Sequence, residues 1–509
     1  MTSWLIVSYV ILYGVLPYGP IMCILFVILF MKFDERARAL KLVSNAMMQK
    51  NDRYISDYMS TEHRWRDSND KDPATMRGYR YLVREAEEAK VHSLCSMAKW
   101  RRKAALWRDG DAPHYRQLLE VTDEVITVEK VWNCKGKLLS DLCPSFSLFK
   151  FIRLRFFGYS LPQEAHHKLW RLIQHILSEE NGYERVFRVI EVELAFLFDL
   201  FYTKYPVNLH RCRLVYRLLL LPIVIAIPAL VIYSAIWDKY VLGAVVTASL
   251  TMSILVVELT QFGIMIFSEW AKVTYICNYV RNEWWQRNKC ARKLIKILCQ
   301  VHYSPPKWIY NRLTAAYHDQ KRNGQKQIAP TNLSKQVKNP IARSLCCLEK
   351  GQPSLRRNNL SDELSRACDL ETTTHVIMVW HIATTFCEYE VPCTQLSQEQ
   401  RDNFGIVTRL SQYLAYLVVF APKLLAGHPC RTEYIFSCAV SEAREKLGAG
   451  EGRIWKVLAD FWADMMLYVA PSNDTAAHAN YLIIGGEFVT HVWVLVSHAG
   501  ITRDPHGGE

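Results

Sequence analysis

Two long apolar runs dominate the pattern of this chain, Leu214 to Ile236 and Tyr240 to Phe267, separated only by Trp237, Asp238 and Lys239. A helix needs about 20 apolar residues to cross a hydrocarbon core. Each run is long enough, and so short a link allows only an antiparallel hairpin. A third apolar segment, Thr2 to Met31, contains no Lys or Arg and is interrupted by Pro17, Gly19 and Pro20. It lacks the basic start and small-residue cleavage site of a secretory signal. It reads as a kinked membrane helix, the alternative being a re-entrant pair of half-helices.

Between these segments the pattern changes. Phe33 to Cys212 is mostly too charged to be embedded. Within it, Tyr79 to Arg84 and Ile126 to Trp132 are rich in β-branched and aromatic residues and predict short strands. Ser145 to Phe157 mixes Phe and Leu with Lys150, Arg153 and Arg155. Its polar residues do not gather on one helical face, so it predicts a buried element with snorkelling cations rather than a surface-lying helix. Glu184 to Tyr202 predicts a packed helix whose apolar part is too short to span and carries Glu191, Glu193 and Asp199.

Past the hairpin, Glu269 to Tyr303 predicts a helix with Trp270, Trp284 and Trp285, suited either to a membrane–water interface or to a core. Lys321 to Asn359 is polar and basic and predicts a linker. Leu360 to Gly500 predicts a compact helical domain. There, Leu410 to Leu425 is a buried core helix rather than a fourth crossing, because it is short and interrupted by Pro422. Tyr481 to Gly500 is the final helix.

The expected fold is therefore mainly α: a membrane protein with about three transmembrane helices and helical cytosolic domains. Its segments are a first crossing (1–32), a cytosolic region (33–212), a hairpin (213–268), a post-membrane helix (269–320), a linker (321–359), a C-terminal helical domain (360–500) and a tail (501–509).

Charge decides the orientation. The chain has 62 Lys+Arg against 49 Asp+Glu, a net +13. The basic residues crowd the ends of apolar segments: Lys32, Arg36, Arg38 and Lys41; Lys204, Arg211, Arg213 and Arg217; Lys272, Arg281, Arg287, Lys289, Arg292 and Lys293. That pattern argues for cytosolic flanks rather than for nucleic acid as partner. It gives an N-terminus outside or lumenal, a cytosolic C-terminus and a multi-pass chain, with endomembrane and plasma membrane both open. The 15 cysteines show no paired zinc-like spacing, which favours reduced cytosolic thiols.

Catalytic signatures are missing: no P-loop, HExxH, GxSxG or dinucleotide-binding glycine pattern follows a strand. An enzyme is therefore not the expected class, and no cofactor is called for except a candidate zinc site. Glu487, His491 and His498 fall within about 40° of one helical face. With His381 from another helix they form a four-ligand set of suitable chemistry. The competing expectation is a polar stripe of hydrogen-bonded core histidines. Within the hairpin, a turn at Asp238 sets Glu258 opposite position 218, beside Arg217. A carboxylate in hydrocarbon needs a partner, so a Glu258–Arg217 pair is expected.

Several stretches together resemble one family. MRGYRYLV (Met76 to Val83), ITVEKVW (Ile126 to Trp132), LFDLFYTKYPV (Leu197 to Val207), VELTQF and FSEW resemble a plant membrane-protein family, expanded in grasses, called domain of unknown function 4220. WHIATTFCEY (Trp380 to Tyr389), LSQYLAYLVVFAPKLL and GGEFVTHVWVLVSHAG (Gly485 to Gly500) resemble its partner, domain of unknown function 594. The resemblance implies architecture and no mechanism. Against the family pattern the chain starts at a segment resembling a middle crossing, so it is expected to lack the family's N-terminal membrane helices. The function expected is a membrane-anchored interaction or signalling protein, with the bilayer and other proteins as partners and oligomerisation possible. A subunit of an oligomeric channel or transporter, and a truncated family member without independent activity, stay open.

Overall fold

A computed structural model describes residues 72–84, 125–135, 141–203, 241–289, 335–348, 373–390, 396–425, 454–483 and 486–501, with isolated positions elsewhere. The first crossing apart from Phe30, the hairpin arm from Leu214 to Ile236 apart from Ile225 and Ala226, the turn at Asp238, Arg217, and most of the linker lie outside the described residues.

The chain divides into two compact units. The first holds Met1–Tyr54, Arg80–Cys143 and Asp199–Ser304; the second holds Ile55–Tyr79, Pro144–Phe198 and Pro305–Glu509. The C-terminal segment expected to stand alone thus shares its unit with residues 144–198. Both units are mainly helical.

In the first unit β1 (Leu82–Arg84) pairs antiparallel with β2 (Ile126–Thr127), Leu82 opposite Thr127. The strand expected over Ile126 to Trp132 stops after two residues. Val128 N still donates to Tyr81 O at 2.9 Å, but the Thr127 hydroxyl accepts from Lys130 N at 3.4 Å and turns the chain into α1 (Val128–Lys135). A local hydroxyl-to-backbone bond outweighs β propensity here.

Helix α2 (Leu142–Phe156) is buried at every residue from Cys143 to Ile152, which explains its lack of a polar face. Of its three cations Lys150 does not snorkel outward, being 3% exposed with its Nζ 5.5 Å from the Phe146 ring centroid, whereas Arg153 and Arg155 are half-buried. Helices α3 (Gln163–Leu177) and α4 (Gly182–Tyr202) follow. Phe146, Phe149 and Phe196 join α2 to α4 through ring contacts of 4.9–5.9 Å.

The long helix α5 (Val241–Phe267) meets α6 (Glu269–Arg281) at a 53° bend. Ser268 makes the bend: its Oγ accepts from Ala271 N at 3.2 Å, starting a new helix, and donates to Met265 O at 2.8 Å. The single helix expected from Glu269 onward breaks again at Asn282, before the short α7 (Glu283–Arg287). Gln286 folds back there. Its Nε2 donates to Tyr279 O and Val280 O at 3.1 and 3.2 Å, satisfying carbonyls that the end of α6 leaves open.

The second unit continues with α8 (Lys335–Leu348), α9 (Thr373–Glu390), α10 (Gln398–Phe420), α11 (Ile454–Val469), α12 (Thr475–Ile483) and α13 (Phe488–His498). Helix α10 opens with a full capping box, Ser397 and Gln400. It buries Leu410, Leu414, Leu417 and Val418, as expected for a core helix. Trp455, Trp462 and Trp493 are fully buried. Trp462 Nε1 reaches the Thr384 hydroxyl at 3.1 Å, and Trp380 stacks on Phe461 at 4.0 Å, tying α9 to α11. The final helix expected from Tyr481 is two helices: Gly486, at φ +77°, takes a left-handed turn only glycine adopts cheaply, and Glu487 becomes the N-cap of α13.

Candidate functional site

The first site is α5 itself. It runs 27 residues with Glu258 as the one charged residue in its sequence, about 40 Å at 1.5 Å per residue. Val245 is 59% and Val256 56% exposed, and Met252, Val257 and Leu259 are exposed with them. Ile254, Leu255 and Glu258 are half-buried instead. In a water-facing helix the charge points out and the apolar side chains in; here Glu258 is half-buried while large apolar side chains face outward, alongside Ser249, Ser253 and Thr260, whose hydroxyls donate to carbonyls of their own helix. The exposed character ends at Thr260, and Met265 is buried beside Ala271, Phe262, Trp270 and Tyr275. Among the described residues no single helix is long and apolar enough to cross a membrane. The bent pair Met252–Phe267 and Glu269–Arg281 passes that test together. The expected partner of Glu258, Arg217, lies outside the described residues.

Beyond the bend the first unit holds an acidic pair. Burial first, then the charge of Glu269, pushes Asp199 up to about 7, against the lowering bond from Thr203. Lys272, almost fully buried, pairs with Glu269 at 2.6 Å. Between the ordinary value of 3.8 and about 7, the folded chain keeps a proton that the unfolded chain has released. Stability therefore falls as pH rises through that window, and the penalty persists above it. Asp199→Asn should stabilise the first unit by about 2–4 kcal/mol at about pH 8 and change little at about pH 4. Thermal denaturation of the detergent-solubilised chain reads this; a gain that does not vary with pH contradicts it.

The second site gathers around α13. His498 Nε2 lies 2.7 Å from Glu193 Oε2 of α4, the two side chains 2% and 1% exposed. Burial pushes the Glu193 carboxyl up, opposed by His498. Arg155 of α2 donates to the Ser497 hydroxyl and, at 3.1 Å, to Ser472 O, with its guanidinium 5.0 Å from the Trp493 ring centroid. His478 of α12 stacks on the same ring, Trp493, at 4.4 Å, and shares a 3.0 Å bond with the Thr490 hydroxyl. Burial drives His478 down to about 3. His166 of α3 is driven down to about 4, by burial first and then by His498. Gly500, at φ +75°, leaves room for α3: a Cβ there would sit 2.9 Å from the His166 Cβ.

The expected zinc ligands are not brought together. Glu487, outside the helix as its N-cap, accepts from Tyr413 and Tyr416 hydroxyls at 3.0 Å each. The Tyr413 hydroxyl also accepts from Val489 N at 3.0 Å, and burial, then Glu487, raises its pKa well above 10.0. His491 Nδ1 turns to Glu487 O at 3.3 Å, and His381 Nδ1 lies 2.7 Å from the Ser411 hydroxyl. Burial lowers both histidines. Among the described residues no group of three or more His, Cys, Asp or Glu is placed to hold a metal ion. The physical reason is that each group has another partner: two tyrosines hold Glu487, a backbone carbonyl faces His491, Ser411 faces His381 and Glu193 faces His498.

Sequence reasoning missed Glu193, Arg155, His166 and His478 as one cluster. A single acid flanked by Val, Leu, Ala and Phe at Glu193 was the available signal, and it pointed to burial without naming the partner.

Comparison with known proteins places these elements in families. Residues 1–329 match the model described as domain of unknown function (DUF4220), and residues 448–501 match that described as protein of unknown function, DUF594. No curated protein and no solved structure matches the chain. The two matched ranges meet in one core, since α2, α3 and α4 lie in the first and α12 and α13 in the second. The bonds Glu193–His498 and Arg155–Ser497 join them directly.

Proposed function

Since this chain belongs to the domain of unknown function 4220 family, with a domain of unknown function 594 segment at its C-terminal end, we propose that it is a multi-pass integral membrane protein anchoring a helical interaction or signalling unit. One observation carries the reading: α5 turns Val245, Met252, Val256, Val257 and Leu259 outward while holding Glu258 on its half-buried side. Hydrocarbon suits that outward face, and a carboxylate at membrane depth faces protein rather than lipid. By its sequence and length Val241 to Thr260 reaches about 30 Å, the thickness of a bilayer core, whereas its described residues pass as a span only together with α6. Its packed continuation, from Gln261 into α6, then lies at the membrane's edge, where basic residues follow on the cytosolic side.

The second unit supports the interaction role through its chemistry. Its buried polar pair Glu193–His498, with Arg155 bonded to Ser497 and Ser472, ties α2, α4 and α13 together. Alkaline carbonate washing of membranes containing the full chain tests the anchor. The chain should stay in the pellet, as integral proteins do. Release into the supernatant contradicts the proposal.

A further inference from the structure

We propose that the described residues following α6, Arg281 to Lys289 together with Lys293, form a binding surface for anionic phospholipid headgroups. The inference rests on the membrane reading of α5 and adds to it the class of lipid that the exit of the chain recognises.

Helix α7 buries none of its residues, yet it carries two tryptophans. Trp284 is 65% exposed, and its ring meets Trp285 at 6.2 Å and 76°. An indole set in water loses the burial that ordinarily justifies its size, whereas at a membrane surface its ring enters the acyl region and its N–H stays among headgroups. The pair is held there by a built scaffold. Asn282 breaks α6, and Gln286 binds back to Tyr279 O and Val280 O, fixing the direction in which α7 leaves.

The charge around the two indoles is complementary to an anionic surface. From Arg281 to Lys293 the sequence has five basic residues against Glu283 alone. Arg281, Arg287, Lys289 and Lys293 are exposed. Arg287 lies one turn from Trp284. Its 2.8 Å pair with Glu283 is open to solvent, 81% and 78% exposed, and such a pair yields readily to a competing anion. The patch follows the apolar helix along the chain: α5 leads through the Ser268 bend and α6 into α7. An aromatic pair with exposed cations beside it in sequence, one helix beyond α5, fits phosphate and carboxylate headgroups. Each Lys or Arg near such a surface adds to its attraction for anionic lipid.

The test uses the full chain reconstituted in phosphatidylcholine vesicles. A minor fraction of the lipid carries brominated acyl chains, on phosphatidylserine in one set and phosphatidylcholine in the other. Bromine quenches nearby indoles, and the difference between the parent and Trp284→Phe/Trp285→Phe isolates these two. Quenching by brominated phosphatidylserine should exceed that by brominated phosphatidylcholine by about twofold or more, and the excess should shrink in high salt. Arg281→Gln/Arg287→Gln/Lys289→Gln/Lys293→Gln keeps every tryptophan and should abolish the excess while leaving the thermal transition unchanged. Equal quenching by the two lipids overturns the headgroup site and leaves the membrane anchor standing. Failure of the chain to incorporate into vesicles overturns the anchor and the site with it. If the four-glutamine variant instead loses affinity for single-stranded RNA with its lipid excess intact, the patch serves nucleic acid and the proposal is wrong.

Discussion

Replacing Trp493 by alanine should destabilise the second unit by about 3–5 kcal/mol, the upper range for a single core truncation. The indole is fully buried and is the common neighbour of side chains from two other helices, α2 and α12. Phe156 meets it edge-on at 5.6 Å, His478 stacks on it at 4.4 Å, and Arg155 lies 5.0 Å from its centroid. Its Nε1 donates to Ser472 O at 3.0 Å. Alanine would leave a cavity lined by an imidazole and a guanidinium that lose their ring contacts. Trp493→Phe keeps a ring for His478 and Arg155, and Arg155 still donates to Ser472 O. It should therefore cost only about 1–2 kcal/mol. Urea unfolding of the detergent-solubilised full chain, followed by near-ultraviolet circular dichroism, separates the two. Equal losses would mean that the indole's contacts do not organise this core.

His498→Ala should cost about 3–5 kcal/mol above neutral pH, because it strands a carboxyl group that is 1% exposed. The remaining oxygen, Glu193 Oε1, has no hydrogen-bond partner among the described residues, so nothing nearby replaces the imidazole. Burial already pushes Glu193 upward, and His498 opposes that push. Without His498 the group rises further and stays protonated over a wider range. With the folded value raised, the mutant's stability is retained at low pH and lost as pH climbs above the unfolded carboxylate range. Glu193→Leu in the same background should recover part of the loss, since no buried charge remains. A His498→Ala defect that is independent of pH and unaffected by Glu193→Leu would place the pair outside the energetics of the fold.

Much of this architecture is written locally. The apolar runs foretell α5 and α10, and the absence of a polar face over Ser145 to Phe157 foretells the burial of α2. What failed was decided by single side chains competing with propensity. Thr127 turns a β-branched run into α1, Gln286 stabilises a break that the Trp-rich pattern conceals, and Gly486 divides the last helix. The cluster around α13 was illegible for a different reason. His498 and Glu193 are 305 residues apart, and neither neighbourhood specifies the other. Helical spacing could group His491 with His498, yet it could not reveal that one faces the Glu487 backbone and the other a carboxylate from α4.

The shared core also changes what the two family segments mean. Arg155 to Ser497 and Glu193 to His498 cross from the DUF4220 range to the DUF594 range within one unit. A chain with the first segment alone would expose the faces of α2, α3 and α4 that these helices cover.

The membrane anchor is the central claim, and protease treatment of sealed microsomes carrying the full chain tests it most directly. The account predicts that residues 33–212 and 271–509 are both digested, leaving a protected fragment that contains α5. Survival of residues 271–509, or loss of α5 together with everything else while the vesicles remain sealed, would contradict it.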